Sequence, residues 1–333
     1  MRIFKEKKEE RPVWIIPESQ IADLMSQGAC NEAVEAVFAA MARGDARNFP
    51  VVREAIGHED ALYGFKGWFD RAGSTLGLKA GGYWPNNLEK HGEINHQSTV
   101  FLFDPDTGKP KAMVGGNLLT ALRTAAASSV SIKHLAREDA TTIGMIGAGH
   151  QATFQLRAAL EQRAFDKVLG WNYHPEMLSN IETVANEAGV AFERVELPQM
   201  READVIISIT SAFAPSLLAE HVGPGTHLAC MGTDTKGKQE VEAALLARAT
   251  VFTDEVAQSV SIGEAQHAVA EGTIEASDIT ELGAVINGTH PGRTSKHEIT
   301  LFDGTGVGLQ DLAVAARVVD LAIARGIAVE VDF

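Results

Sequence analysis

The stretch TIGMIGAGHQATFQLRAAL, Thr142–Leu160, decides the fold. Apolar residues with strand character run into Gly147-Ala148-Gly149, and a helical pattern of apolar spacing begins at once. Glycine allows a tight strand-to-helix turn and a close approach of the backbone to a ligand. The helix N-terminus behind it offers free N–H groups and a positive dipole end. This is the setting of a dinucleotide fingerprint, with Ala152 in place of its third glycine.

Working outward, the pattern after Thr141 alternates strand and helix. KVLGWNY, DVIISITS, THLACMG and ATVFTDE read as buried strands, and PEMLSNIETVANEAG as a helix. Near-continuous apolar strands alternating with helices predict a parallel sheet covered on both faces, complete by about residue 308. Before it, LTALRTAAASSVSIKHLA belongs to a helix over 118–136. Between 48 and 110, short apolar runs separated by Gly, Pro and Asn predict a mostly antiparallel sheet, with DPDTGKP as a hairpin. Near the start, VWII reads as a strand, Ser19 as a helix cap, and NEAVEAVFAAMARGD as an amphipathic helix ending at Gly44. QDLAVAARVVDLAIARG is a last helix, expected to pack back on the first half. The fold class is therefore α/β. A Rossmann-type doubly wound parallel sheet over 121–308 joins an α+β domain built from 1–120 and 309–333.

The chain has 333 residues, 45% of them apolar, enough for a sizeable core. A formal net charge of −15 repels nucleic acid and anionic membranes. Two cysteines without CxxC support neither a disulfide framework nor a thiolate metal site. His91 and His96, in HGEINHQ, fit no metal-ligand spacing, so no metal is expected; His96 and Gln97 are candidates for lining a pocket. The charged start MRIFKEKKEERP has no apolar core, and no run of about 18 apolar residues occurs, so a reducing cytoplasm is expected.

At the end of the second strand, where NAD enzymes place an acid on the adenosine ribose, stands Asn172. Its amide can bond a hydroxyl without repelling a 2′-phosphate. NAD(H) is favoured and NADP(H) stays open. The hydroxyls of Ser208–Ser211 end a parallel strand, where they can touch a cofactor or merely cap the strand. DGTGVG, Asp303–Gly308, is expected to pass the nicotinamide.

Five segments in this order resemble the ornithine cyclodeaminase/mu-crystallin family: LGLKAGGYWPNN, FDPDTGKPKAMVGGNLLTALRTAAASS, IGAGHQA, GTDTKGKQEVE and LFDGTGVGLQDLA. The resemblance implies a homodimer that binds NAD(P)(H) and acts on a small amino or imino acid, with the α+β domain serving substrate binding and dimerisation. It implies Lys79 at the substrate carboxylate and reacting centre, and Arg123 on the cofactor or the carboxylate. Asp234 is implied to exchange a proton at the reacting nitrogen. The implied cofactor set is Arg123, Thr124, Gly147, Gly149, His150, Gln151, Asn172, Ser208, Met231, Lys238 and Gly306. An early arginine, Arg53 or else Arg47, is implied on the substrate carboxylate. Where cyclodeaminases of the family carry a glutamate, this chain has Lys66, which would repel the distal amine of ornithine. Lys66 fits a second carboxylate, as in iminosuccinate, or the clamp of a simpler alanine/pyruvate chemistry, or it is a snorkelling surface lysine. The expectation is an NAD(P)H-dependent oxidoreductase reducing a small 2-imino acid to the L-amino acid. The alternatives are an ornithine cyclodeaminase and a non-catalytic, mu-crystallin-like binding protein.

Overall fold

A computed structural model describes residues 12–333; the charged start, read as no secretory leader, lies outside them. Two eight-stranded sheets carry the chain. The second is parallel throughout, with its order running Ala191–Arg194, Lys167–Trp171, Thr142–Ile146, Val205–Ser208, His227–Cys230, Ile299–Asp303, Ala249–Thr253, Ile279–Glu281. The chain order reverses between Thr142–Ile146 and Val205–Ser208. That is the switch point of a Rossmann fold, where ligands sit beyond the carboxyl ends of the strands. Ile143, Met145, Ile207 and Ala229 are wholly buried, as strands covered on both faces require.

The first sheet is antiparallel from Ala46–Asn48 through Leu62–Asp70, Thr75–Tyr83 and His96–Phe103 to Pro110–Gly115, with Val52–Ala55 also on Leu62–Asp70. DPDTGKP closes the expected hairpin, the Asp104 carboxylate accepting from the Asp106 and Thr107 amides. Two features were not foreseen. Val13–Ile16 joins Pro110–Gly115 in parallel, and Val329–Val331 closes on Val13–Ile16. Ser19 caps no helix, since it lies inside a short 3-10 turn, Glu18–Gln20. The amphipathic helix is Gln27–Ala42, and its cap is Ser26, whose hydroxyl accepts from the Ala29 amide.

Helix Asn117–Leu135 runs unbroken through residues 120 and 121 and packs on both Gln27–Ala42 and His150–Leu160. Helix Gly308–Ala324 returns to the first layer and lies on the Leu62–Asp70 and Thr75–Tyr83 strands. Its Leu309, Leu312, Val318 and Val319 are buried there.

Candidate active site

Pairing register fixes which side chains share a face. Lys66 stands opposite Lys79, and Arg53 opposite Gly64, so Arg53, Lys66 and Lys79 project from the same face of the first sheet. Arg47 pairs with Phe69 and belongs to the other face, where its guanidinium lies 5.4 Å from the Phe49 ring centre. Of the two early arginines, Arg53 is the one facing the site.

The inner face meets the long helices. Lys79, 7% exposed, donates to Asp311 Oδ1 at 2.9 Å and to Thr120 Oγ1 at 3.3 Å. Arg123 Nε reaches the same Asp311 oxygen at 3.1 Å, and its Nη1 donates to Gln310 Oε1 at 3.1 Å. Asp311 is fully buried; Arg123 and Lys79 hold its carboxyl below the usual range against the effect of burial. Burial is the main influence that lowers Lys79 to about 7, Asp311 opposing it and Arg123 and Lys66 adding to it. Lys66 donates to the Gly306 carbonyl at 2.7 Å, so it is no snorkelling surface lysine; burial lowers it to about 8. His96 stays neutral, lowered to about 4 by burial and by Lys79 and Arg123.

Across the cleft, Asp234 sits in the loop after strand His227–Cys230. Lys238 Nζ donates to its Oδ1 at 2.8 Å and to the Gly232 carbonyl at 3.2 Å. Arg53 Nη2 lies 3.7 Å from Asp234 Oδ2, and its Nη1 donates to Thr235 Oγ1 at 2.6 Å. Lys238 and Arg53 together hold the Asp234 carboxyl well below the ordinary carboxylate range, despite burial. It is ionised at any physiological pH. Asp311 and Asp234 are thus each flanked by two cations, and Lys66 adds a further one.

The glycine turn has room for a dinucleotide. Gly147 is in the left-handed region at φ 106°, and a Cβ there would lie 2.4 Å from the Ile209 carbonyl. A Cβ on Gly149 would meet nothing within 4 Å, so the turn faces open space at the start of helix His150–Leu160, whose first turn has no side-chain cap. His150 is exposed beside Phe154, and Gln151 Oε1 is buried with no partner among the described residues. Ala152 is fully buried. The residues present fit a pyrophosphate on this turn.

Other expected cofactor residues sit differently. The Ser208 hydroxyl is turned away from any ligand: it is 1% exposed and donates to Glu240 Oε1 at 2.7 Å. Glu240 also accepts from the Thr210 amide and hydroxyl and the Gly232 amide, tying two strand ends together. Thr124 is buried and its hydroxyl donates back to the Thr120 carbonyl at 2.7 Å. Met231 packs under Gly304. Asn172 Oδ1 accepts from the Ala148 amide at 3.2 Å, bracing the turn. The Gly306 amide donates to Asp254 Oδ2 at 2.9 Å.

Three contributors were missed: Asp311, Gln310 and Asp254. The first two lie in the quoted LFDGTGVGLQDLA, where two polar residues on the buried stripe of an apolar helix were the available signal.

A model of the ornithine cyclodeaminase/mu-crystallin family matches residues 16–326. The iminosuccinate reductase of Paracoccus denitrificans (strain Pd 1222) is 66% identical over 319 residues, 96% of this chain and 99% of that protein. A crystal structure of the P. denitrificans iminosuccinate reductase in complex with NAD+ superposes with a TM-score of 0.94, at 65% identity, covering 97% of this chain and all of the other. An archaeal alanine dehydrogenase dimer with bound NAD superposes with a TM-score of 0.91, at 30% identity, covering 97% and 99%.

Proposed function

As a member of the ornithine cyclodeaminase/mu-crystallin family, this chain is, we propose, an NAD(H)-dependent reductase that converts iminosuccinate to L-aspartate. The observation that carries the reading is the set of cations on one sheet face, Arg53, Lys66 and Lys79, with Arg123 beside Lys79, opposite Asp234 at the carboxyl edge of the Rossmann sheet. That excess of positive charge suits a dicarboxylate better than a substrate with one acid group.

Gly147, Gly149, His150 and Gln151 would hold NAD(H), which when bound would supply the hydride for the imine carbon. The protein does the rest. Arg53 and Lys66 bind the two carboxylates, and desolvation strengthens their hold. Asp234 stays ionised and stabilises the protonated nitrogen. Held below the ordinary carboxylate range, it is assigned this charge-stabilising role rather than the proton exchange that the family resemblance implies. Lys79, which titrates near neutrality, is the group that exchanges a proton there. Lys238 orients Asp234, and Asp311 orients Lys79 and Arg123.

We assign residues 1–120 and 309–333 to substrate binding and 121–308 to the cofactor, with helix Asn117–Leu135 shared. The outer face of the first sheet supports a homodimer. Val52, Tyr63, Phe65 and Met113 stand exposed on it, beside half-buried Leu76, Leu78 and Phe101. Two free, buried cysteines agree with work in a reducing cytoplasm. Among the described residues no helix is long and apolar enough to cross a membrane.

The test follows NADH absorbance with oxaloacetate plus ammonium, which supply iminosuccinate, and with pyruvate plus ammonium. Faster oxidation with the dicarboxylate is expected. Equal or better turnover of pyruvate would remove the dicarboxylate assignment. Proline and ammonia from ornithine with NAD+ would return the chain to the cyclodeaminases.

A further inference from the structure

In a doubly wound sheet, the end of the second strand meets the adenosine half of the dinucleotide, and charge there separates a ribose 2′-hydroxyl from a 2′-phosphate. The residue at that place, Asn172, carries no charge, and its amide is already engaged. Oδ1 accepts from Ala148, and Nδ2 donates to the His174 carbonyl at 2.8 Å.

Around it opens a cleft of about 360 Å³, lined by Trp171, Asn172, Tyr173, Arg194, Glu196 and Gln199 among others. Arg194 ends strand Ala191–Arg194, in register with Gly170 of the neighbouring strand. This is a cation that spacing from the glycine turn did not reveal. A free guanidinium here would fork onto a phosphate. It is not free: its Nη2 lies 3.0 Å from Glu182 Oε2, on helix Ser179–Glu187. Glu196 lines the same cleft. One carboxylate therefore pairs with the guanidinium, and a second stands on the cleft wall. A 2′-phosphate, with about two negative charges, would have to displace Glu182 and approach Glu196. A 2′-hydroxyl meets neither obstacle.

We propose that Glu182 and Glu196 make this cleft an adenosine site that rejects a 2′-phosphate, so that NAD(H) is selected by an arginine already occupied rather than by an acid gripping the ribose. The proposal rests on the dinucleotide reading above. The Glu182–Arg194 pair is about half exposed, so either carboxylate alone has a modest effect. The two act together.

The test compares dissociation constants of NADH and NADPH, read from nucleotide fluorescence at fixed ionic strength. The proteins are the wild type, the double variant Glu182→Gln/Glu196→Gln, and that variant with Arg194→Gln added. The wild type is expected to bind NADH more tightly. The double variant should gain about tenfold for NADPH while NADH stays within about threefold, as expected for removing two nearby like charges in water. Arg194→Gln should abolish the gain. An unchanged NADPH-to-NADH ratio in the double variant, a gain that survives Arg194→Gln, or a wild type preferring NADPH, overturns the selectivity and leaves the reductase reading standing. A wild type that binds neither dinucleotide overturns that reading, and this proposal with it.

Discussion

In the proposed mechanism, Lys79 is the residue on which proton exchange turns. Its folded value of about 7 lies below the ordinary 10.5, chiefly through burial. In the reductive direction it must carry a proton, so kcat is expected to fall as pH rises through about 7. The oxidative rate should rise over the same range. Asp311 is the partner that favours the charged lysine, so Asp311→Asn should move the falling limb to lower pH in a pH–rate profile. A limb that stays put would separate the limb from Lys79. Lys66→Met should raise KM for iminosuccinate and cut kcat/KM by at least about thirtyfold, the low end for removing one partner of a desolvated charge pair. Pyruvate plus ammonium should lose much less. The glycine turn was legible from its own pattern, whereas Lys79, Arg123 and Asp234 were named through the family resemblance of their segments. Asp311 was not. Its partners lie 188 and 232 positions away, and only folding brings them together.

At the scale of elements, the glycine turn and the strand ends hold the cleft in shape. Gly147→Ala places a methyl group against a backbone carbonyl in a conformation that non-glycine residues resist. A loss of about 1–3 kcal/mol is expected, read by denaturant melting, with NADH affinity weakened in parallel. Beside the turn, Glu240 and Glu264 share a buried region. Glu264 accepts from the Glu240 and Val241 amides and the Thr233 hydroxyl. Burial, then the neighbouring Glu240, raises it from 4.5 to about 8. A raised folded value means that the folded state binds more protons between those limits, so this contribution is full below 4.5 and is lost as pH rises through about 8. Wild-type melting temperature should therefore fall relative to Glu264→Gln between pH 5 and 8, by several degrees, as about 1–3 kcal/mol implies for a chain of this size. Parallel melting curves would discount the buried acid. The parallel strands were legible because they are continuously apolar. Ser208 was misleading because a hydroxyl at a strand end reads alike whether it faces a ligand or a buried carboxylate such as Glu240.

At the scale of the whole molecule, the outer face of the first sheet carries Val52, Tyr63, Phe65 and Met113 exposed together. Phe65→Glu should convert a dimer to a monomer in sedimentation, since a charge at the centre of such an interface costs several kcal/mol. A dimer that survives would move the interface elsewhere. The sheet itself was foreseen from its turns, but its two outer additions were not: Val13–Ile16 and Val329–Val331 are too short to announce their partners. The described chain crosses between the layers twice, through helix Asn117–Leu135 and through the segment from Asp303 to Gly308. Lys79, Arg123 and Asp311 all belong to elements at those crossings or within the first layer, whereas Arg53 reaches over the mouth to Asp234 and Thr235. Any rocking of one layer on the other would therefore stretch the rim while sparing the floor. On the proposed reading, an incoming dicarboxylate would find Lys66 already in place and would draw Arg53 away from Asp234.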